Sequence, residues 1–475
     1  MSTVRTITKN TVVLLVSQII AILFAFLYNL YTARYLGSEG FGVLSFAIAF
    51  TGIYGLVADM GLSTLATREV ARNDFLAGKY LVNVTIIKLI LVVITLILIS
   101  ITINILGYPK QTIEIVYIMS ISTILSSFTN LFNSIFQALE KIYLISVGRI
   151  IYSVLIFVGT IIAMNLQFDI VLFVTIYLIT NIIVLCYSII VYRRKLVVPT
   201  IEFNWNLWAM MLKESIPFWL TSLFVIVYFR IDMIMLSVMK GDSVVGWYAA
   251  SYRLIDALSI IPSVLMTIMY PVFSKLHLNS KNVLSFAFEK SFNFLIIIAT
   301  PIGIGTTLLA DKIIILIYGT EYAPSIIALK ILIWAGFLTI TSWAPATLLN
   351  SINKQRTLMI ITSIGAILNI CLNYMLIPTI SYKGAGIATV VAELIVGLLM
   401  LYEIKSAQFS IKSSIKIFAK SMLSGIIMGI LVYILKDYTL FLLIPLAAVV
   451  YLIALILTRT FDKQDFDMVN EALKR

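Results

Sequence analysis

Runs of about 20 apolar residues recur from Thr11 to Thr458 with short polar gaps between them, each long enough to cross a hydrocarbon layer about 30 Å thick. The pattern predicts helices at 11–33, 41–62, 80–103, 113–139, 142–165, 169–192, 217–239, 244–269, 283–310, 324–351, 357–380, 384–405, 416–436 and 440–458. Gly37-Ser38-Glu39-Gly40 separates the first two segments, and Glu140-Lys141 separates the fourth from the fifth. The first run is too long for the apolar core of a signal peptide and lacks a small-x-small cleavage site, so it reads as a retained helix.

Charge inside the apolar pattern is concentrated in one hairpin, 217–239 and 244–269, joined at Lys240-Gly241-Asp242-Ser243. Arg230 and Arg253 lie equally far from the centre of that turn. At about 1.5 Å per residue both start about 17 Å below it, near the middle of the hydrocarbon slab. A cation there costs roughly 2.5 to 3.5 kcal/mol on a lone helix, so both arginines must face protein or a wet cavity. Asp232 falls on the far side of the helix from Arg230, whereas Asp256 can reach Arg253 at i,i+3. Two readings follow: a structural knot of Arg230 with Asp256 and Arg253 with Asp232, or a polar site in which planar guanidiniums grip an anionic group such as a diphosphate.

Composition agrees with the pattern. Of 475 residues, 61% are hydrophobic and 12% charged, and the mean hydropathy is +1.06. That excludes a soluble globule. The net charge of +12 does not point to nucleic acid, because of where it lies. Six basic residues, Arg34, Lys110, Lys240, Lys312, Lys383 and Lys436, fall in one set of alternate loops. Lys88, Arg149, Arg230, Arg253 and Lys330 fall within helices, and every other Lys and Arg lies on the N-terminal side. This bias predicts a multi-pass protein of the inner or plasma membrane with both termini cytoplasmic. Lys88, Arg149 and Lys330 lie near helix ends, where snorkelling is the expected behaviour. Cys186 and Cys371 sit inside apolar runs and read as core fillers, and His277 as a solvated or interfacial residue.

The chain also repeats itself. Gly37 and Gly42 bracket the first turn as Gly241 and Gly246 bracket the central one, and Gln137-Ala138-Leu139-Glu140-Lys141 is echoed by Asn350-Ser351-Ile352-Asn353-Lys354. Two echoes in the same order predict a six-helix unit used twice in parallel, with two helices appended. The expected fold is therefore all-α and integral to the membrane, with about 14 transmembrane helices. It divides into a six-helix lobe at 1–195, a second at 196–410, and two further helices with a cytoplasmic tail at 411–475.

At these residues the chain resembles the polysaccharide-unit flippases, Wzx type, of the multidrug/oligosaccharidyl-lipid/polysaccharide exporter superfamily. The likeness is carried by Arg34-Tyr35-Leu36-Gly37 with Phe41-Gly42, Asp59-Met60-Gly61-Leu62 with Thr67-Arg68-Glu69, and Gln137 to Lys141. In the second half it is carried by Ser215-Ile216-Pro217-Phe218, Tyr228-Phe229-Arg230-Ile231-Asp232, Gly246-Trp247-Tyr248-Ala249-Ala250, and Gly384-Ala385-Gly386-Ile387-Ala388. The resemblance implies a MATE-like fold and alternating access. It also implies a polyprenyl-diphosphate-linked oligosaccharide carried from the cytoplasmic to the outer leaflet, and intramembrane arginines lining the path.

No phosphate-binding Gly-x-x-x-x-Gly-Lys loop, His-Glu-x-x-His motif or long loop supports catalysis, and no cofactor is implied. The expected diphosphate ligands are Arg230, Arg253 and Arg149. Carboxylates embedded in the apolar runs, Asp232, Asp256, Glu393 and Asp59, are candidates for coupling to H+ or Na+. Tyr28, Asn29, Tyr228, Tyr248 and Tyr252 lie at depths suited to sugar contact. Expected partners are the lipid-linked oligosaccharide, membrane lipids and other polysaccharide-assembly membrane proteins, with no nucleic acid. Three alternatives stand beside this reading: a drug or cation antiporter of the same architecture, a peptidoglycan-precursor flippase, and a multipass glycosyl or acyl transferase.

Overall fold

The computed structural model describes residues 2–195, 205–410 and 412–460. Its α-helices are α1 (Ser2–Asp59), α2 (Leu62–Arg72), α3 (Ala77–Ile105), α4 (Lys110–Ala138), α5 (Ile142–Asn165), α6 (Ile170–Lys195), α7 (Trp205–Lys240) and α8 (Asp242–Leu258). They continue as α9 (Ile260–Asn279), α10 (Lys281–Tyr318), α11 (Ser325–Ser351), α12 (Gln355–Ile380), α13 (Tyr382–Ser406), α14 (Lys412–Ile434) and α15 (Leu440–Leu457). The described residues contain no strand. Gly37, at φ 67 and ψ −179, breaks α1 into two apolar segments, and α8 and α9 together span one apolar segment broken at Ser259. The fold is an all-α membrane bundle of about fourteen crossings, as the hydropathy pattern requires.

Two compact units divide the chain at Ala249 and Ala250. The lobe boundaries expected after 195 and after 410 fall on residues outside the described set, as does the tail from 461. In the first unit α1 packs on α3, α4, α5 and α7, and α4 packs on α2 and α6. Its core has two apolar clusters. One gathers Phe46, Phe50, Ile103, Val116, Ile156 and Phe173; the other gathers Leu62, Leu65, Val84, Ile135, Phe136 and Leu144. In the second unit α11 packs on α9, α10 and α13, and α14 and α15 close on α10 around Leu309, Met428, Val432 and Leu443. The Tyr451 hydroxyl donates to the Ile297 carbonyl at 2.8 Å, and Lys312 Nζ to the Tyr438 carbonyl at 2.6 Å.

Both sequence echoes have a shared geometry. Glu140 (φ 56) and Asn353 (φ 62) take the left-handed conformation at equivalent positions. In each case the following lysine N–H reaches back five residues, Lys141 to Phe136 O and Lys354 to Leu349 O. Gly37 and Gly241 are likewise both at positive φ. The turns they form touch within the first unit: a Cβ on Gly42 would lie 1.8 Å from the Asp242 carbonyl oxygen, and one on Gly246 would lie 1.9 Å from that of Ser38. Tyr108 donates to Ser237 Oγ and Ser237 to Asp242, each at 2.8 Å. Burial, opposed by the Ser237 hydrogen bond and reinforced by Asp242, pushes the Tyr108 hydroxyl up to about 12, so it remains a donor at neutral pH.

Three expectations about single residues are corrected. Lys88 does not snorkel: it is 0% exposed and bonded to Asp59 at 2.6 Å, because a carboxylate on the neighbouring helix offers a closer partner than the interface. Cys186 and Cys371 are exposed, free thiols rather than core fillers, since each apolar helix has a lipid-facing side as well as a packed one.

Candidate functional site

A polar concavity of the first unit is built where α1 ends. Met60 (φ 46) and Gly61 (φ 74) turn the chain out of its helix after Asp59, so that α2 leaves at a new angle. Only glycine suits the second position: a Cβ there would lie 2.6 Å from the Ser215 carbonyl oxygen and 2.8 Å from the Trp219 N–H nitrogen. The Asp59-Met60-Gly61-Leu62 and Ser215-Ile216-Pro217-Phe218 motifs therefore meet in space. Pro217 lies within α7.

The resulting cavity has a volume of about 610 Å³, within the range of small-molecule sites. Ser63, Thr64, Thr67 and Arg68 of α2 form one wall. Asn130, Asn133, Ser134 and Gln137 form a second, and Arg149 and Phe218 contribute from α5 and α7. The α4 residues fall at i, i+3, i+4 and i+7, a polar stripe on one helix face. This stripe is legible in the sequence as polar positions at helical spacing within an apolar run, a weaker signal than a charge because uncharged polar residues are common inside membrane helices.

The two arginines of the cavity differ. Arg68 Nε bonds Glu69 at 2.7 Å, its NH2 pairs with Glu214, and its guanidinium lies 5.6 Å from the Phe218 ring centre. Burial opposes its charge, but the bonds and fields of Glu69 and Glu214 prevail and hold it above its ordinary value. Arg68 is therefore already neutralised. Arg149 is exposed to the cavity, and its guanidinium forms no ion pair among the described residues. It lines the same space as the amides and hydroxyls of α2 and α4, a set of groups suited to a multi-oxygen anion beside a polyhydroxylated group.

Of the residues expected from the sequence, Arg149 lines this cavity, and Asp59 lies behind it through a short hydrogen bond from Ser63. The others in the first unit lie elsewhere. Asp232 is buried and accepts from the Tyr248 hydroxyl and, at 2.9 Å, from the Met233 N–H, while Arg230 acts on it through space. Tyr248 is 0% exposed. Tyr28 packs edge-on to Tyr177, Asn29 donates to the Ala25 carbonyl at 2.7 Å, and Tyr228 stacks edge-on with Phe229. In the second unit Arg253 meets Asp256 at 3.8 Å, Tyr252 is buried, and Glu393 is buried on α13. The described residues contain no cluster of three or more metal-ligating side chains.

The family model described as "Polysaccharide biosynthesis protein" matches residues 7–277, more than half of the chain. The chain belongs to that family. A MatE model matches residues 217–375 of the chain. Among solved structures it is similar to the lipid II flippase MurJ in an inward closed conformation. The TM-score is 0.77 with 19% identity, over 94% of this chain and 98% of that one. It is also similar to an inward-facing multidrug resistance MATE family transporter of the MOP superfamily, with TM-score 0.66 and 18% identity over 82% and 95% of the two chains. A membrane protein of Methanocaldococcus jannaschii described as uncharacterized is 29% identical over 175 residues, 36% of this chain and 34% of its own length. The alignment thus spans about a third of that relative. The polysaccharide biosynthesis family, the MatE match and the fold make this a multi-pass membrane transporter of the MOP superfamily.

Proposed function

We propose that this protein is a flippase that carries a polyprenyl-diphosphate-linked oligosaccharide repeat unit from the cytoplasmic to the outer leaflet by alternating access, with both termini cytoplasmic and no enzymatic step. The observation that carries the reading is Arg149, a guanidinium without an ion pair among the described residues, at the edge of a cavity lined by Asn130, Asn133, Gln137 and four hydroxyls. The planar guanidinium grips the diphosphate bidentately, the amides and hydroxyls bond the sugar hydroxyls, and the polyprenyl tail stays in lipid. Arg230 and Arg253, at matched depth in the sequence, act on the same anion along its path, and Asp232, Asp256 and Glu393 are the carboxylates available for coupling to H+ or Na+. Family membership and the likeness to a lipid II flippase support a lipid-linked diphosphate cargo. That likeness also supports a second reading, a peptidoglycan precursor as the cargo, with the same head-group chemistry.

The test is deletion of the gene followed by mass spectrometry of the accumulated lipid-linked species. A polyprenyl-diphosphate oligosaccharide that accumulates, and clears on complementation with the wild type but not with Arg149→Ala, is the expected result. Accumulation of lipid II alone selects the second reading, and accumulation of neither refutes both.

A further inference from the structure

Behind the cavity wall the first unit holds a lysine that the cargo reading does not use. Lys88 on α3 is 0% exposed. Its Nζ lies 2.6 Å from Asp59 Oδ1, 2.7 Å from the Ser127 carbonyl oxygen, 3.1 Å from Ser63 Oγ and 3.1 Å from Ser127 Oγ. An ammonium has three protons to donate, so four oxygens at this range form a cage rather than one directed bond. The cage is assembled from three places. Asp59 closes α1 at the left-handed break, Ser63 opens α2, and Ser127 lies on α4, with its side chain and carbonyl both turned to the same point.

A carboxylate, a carbonyl and two hydroxyls are the hard, oxygen-only donor set that suits an alkali cation. Helix ends and broken backbone are also where transport proteins hold such ions. Water can reach this set: the Asp59 side chain is 23% exposed, and Ser63, which donates to it, also lines the cavity.

We infer that Lys88 is a tethered cation whose ammonium occupies a monovalent-cation site built by Asp59, Ser63 and Ser127, so that the wild-type protein takes no free sodium or potassium there. The ammonium supplies permanently the charge that a coupling ion would supply transiently, and it joins the ends of α1 and α2 to α3 and α4. Asp59 therefore leaves the set of carboxylates open to a free metal cation. The inference does not depend on which cargo is carried.

The experiment is thermal unfolding of the purified full chain in sodium, potassium, ethylammonium or tetramethylammonium chloride at one fixed chloride concentration. Any difference between the wild-type midpoints in the four salts is expected to persist in Asp59→Asn. Lys88→Ala, which empties the cage, is expected to unfold about 3 °C or more higher in sodium, potassium or ethylammonium than in tetramethylammonium, which is too large to enter. Lys88→Ala/Asp59→Asn is expected to lose that difference. Where Lys88→Ala yields no folded protein, Lys88→Ser is read the same way, because it leaves the ammonium's place open and gives Asp59 one donor. Equal midpoints of the single variant in all four salts would overturn the inference. So would a wild type stabilised by sodium or potassium in a manner that Asp59→Asn abolishes.

Discussion

Gly42 and Gly246 meet backbone to backbone: a Cβ on Gly42 would lie 3.0 Å from the Gly246 nitrogen and 1.8 Å from the Asp242 carbonyl oxygen. Ser38 and Asp242 each follow the glycine that opens their turn, so the contact of Gly42 with Asp242 and that of Gly246 with Ser38 are equivalent under the internal repeat. The duplication seen in the sequence is thus a self-complementary contact inside the first unit. No side chain larger than hydrogen fits either position.

Gly42→Ala should therefore force the two turns apart and cost about 1 to 3 kcal/mol, the usual penalty of overpacking. Gly52→Ala is the matched control, because the nearest atom its Cβ would meet, Ile226 Cδ1, is 3.6 Å away. Thermal unfolding of the two variants side by side decides it; equal midpoints would show that the turns can separate freely.

Arg149→Ala should abolish transport of the lipid-linked cargo in reconstituted vesicles while leaving the unfolding midpoint within a degree or two. Its guanidinium has no ion pair to lose among the described residues. Arg149→Lys should restore only part of the rate, since an ammonium cannot bond a diphosphate in the bidentate manner. A lysine variant as active as wild type would remove the planar-fork argument.

Arg68→Ala should affect transport less than Arg149→Ala, because Glu69 and Glu214 already neutralise Arg68. Partly exposed ion pairs of this kind contribute about 0 to 1 kcal/mol, so the stability change should be small as well. Comparing initial transport rates of the two variants is the check. A larger loss for Arg68→Ala would reverse their assigned roles.

Tyr248→Phe removes a hydrogen bond donor from the buried Asp232 carboxylate and should destabilise the protein by about 1 to 3 kcal/mol. Asp232→Asn in the same background should recover part of that loss, because an amide needs the donor less than a charge does. A double-mutant cycle in chemical unfolding measures the coupling, and additive losses would mean the two groups act independently.

The bundle, its number of crossings and its duplication were legible because each rests on local pattern: apolar length, turn glycines and the echo at Lys141 and Lys354. What escaped depends on which helix lies beside which. Distance to the helix end made Lys88 a snorkelling residue, and only the break at Gly61 brings Asp59 and Ser63 to it. Depth selected Arg253, and depth together with the family resemblance selected Arg230, whereas the polar stripe of α4 matters because α2 and α5 contribute polar residues to the same cavity. The aromatic residues chosen for sugar contact show the same limit: Tyr248 has the right depth and a sealed position.

The bond from Tyr451 to Ile297 joins residues 154 apart in the chain. During synthesis α10 would enter the bilayer long before the helix that covers it, and would wait with Leu309 and its neighbours facing lipid in place of Met428, Leu443 and Tyr451. A nascent chain stalled before α15 would thus leave open to lipid the flank of α10 that Leu443 and Tyr451 cover in the finished protein.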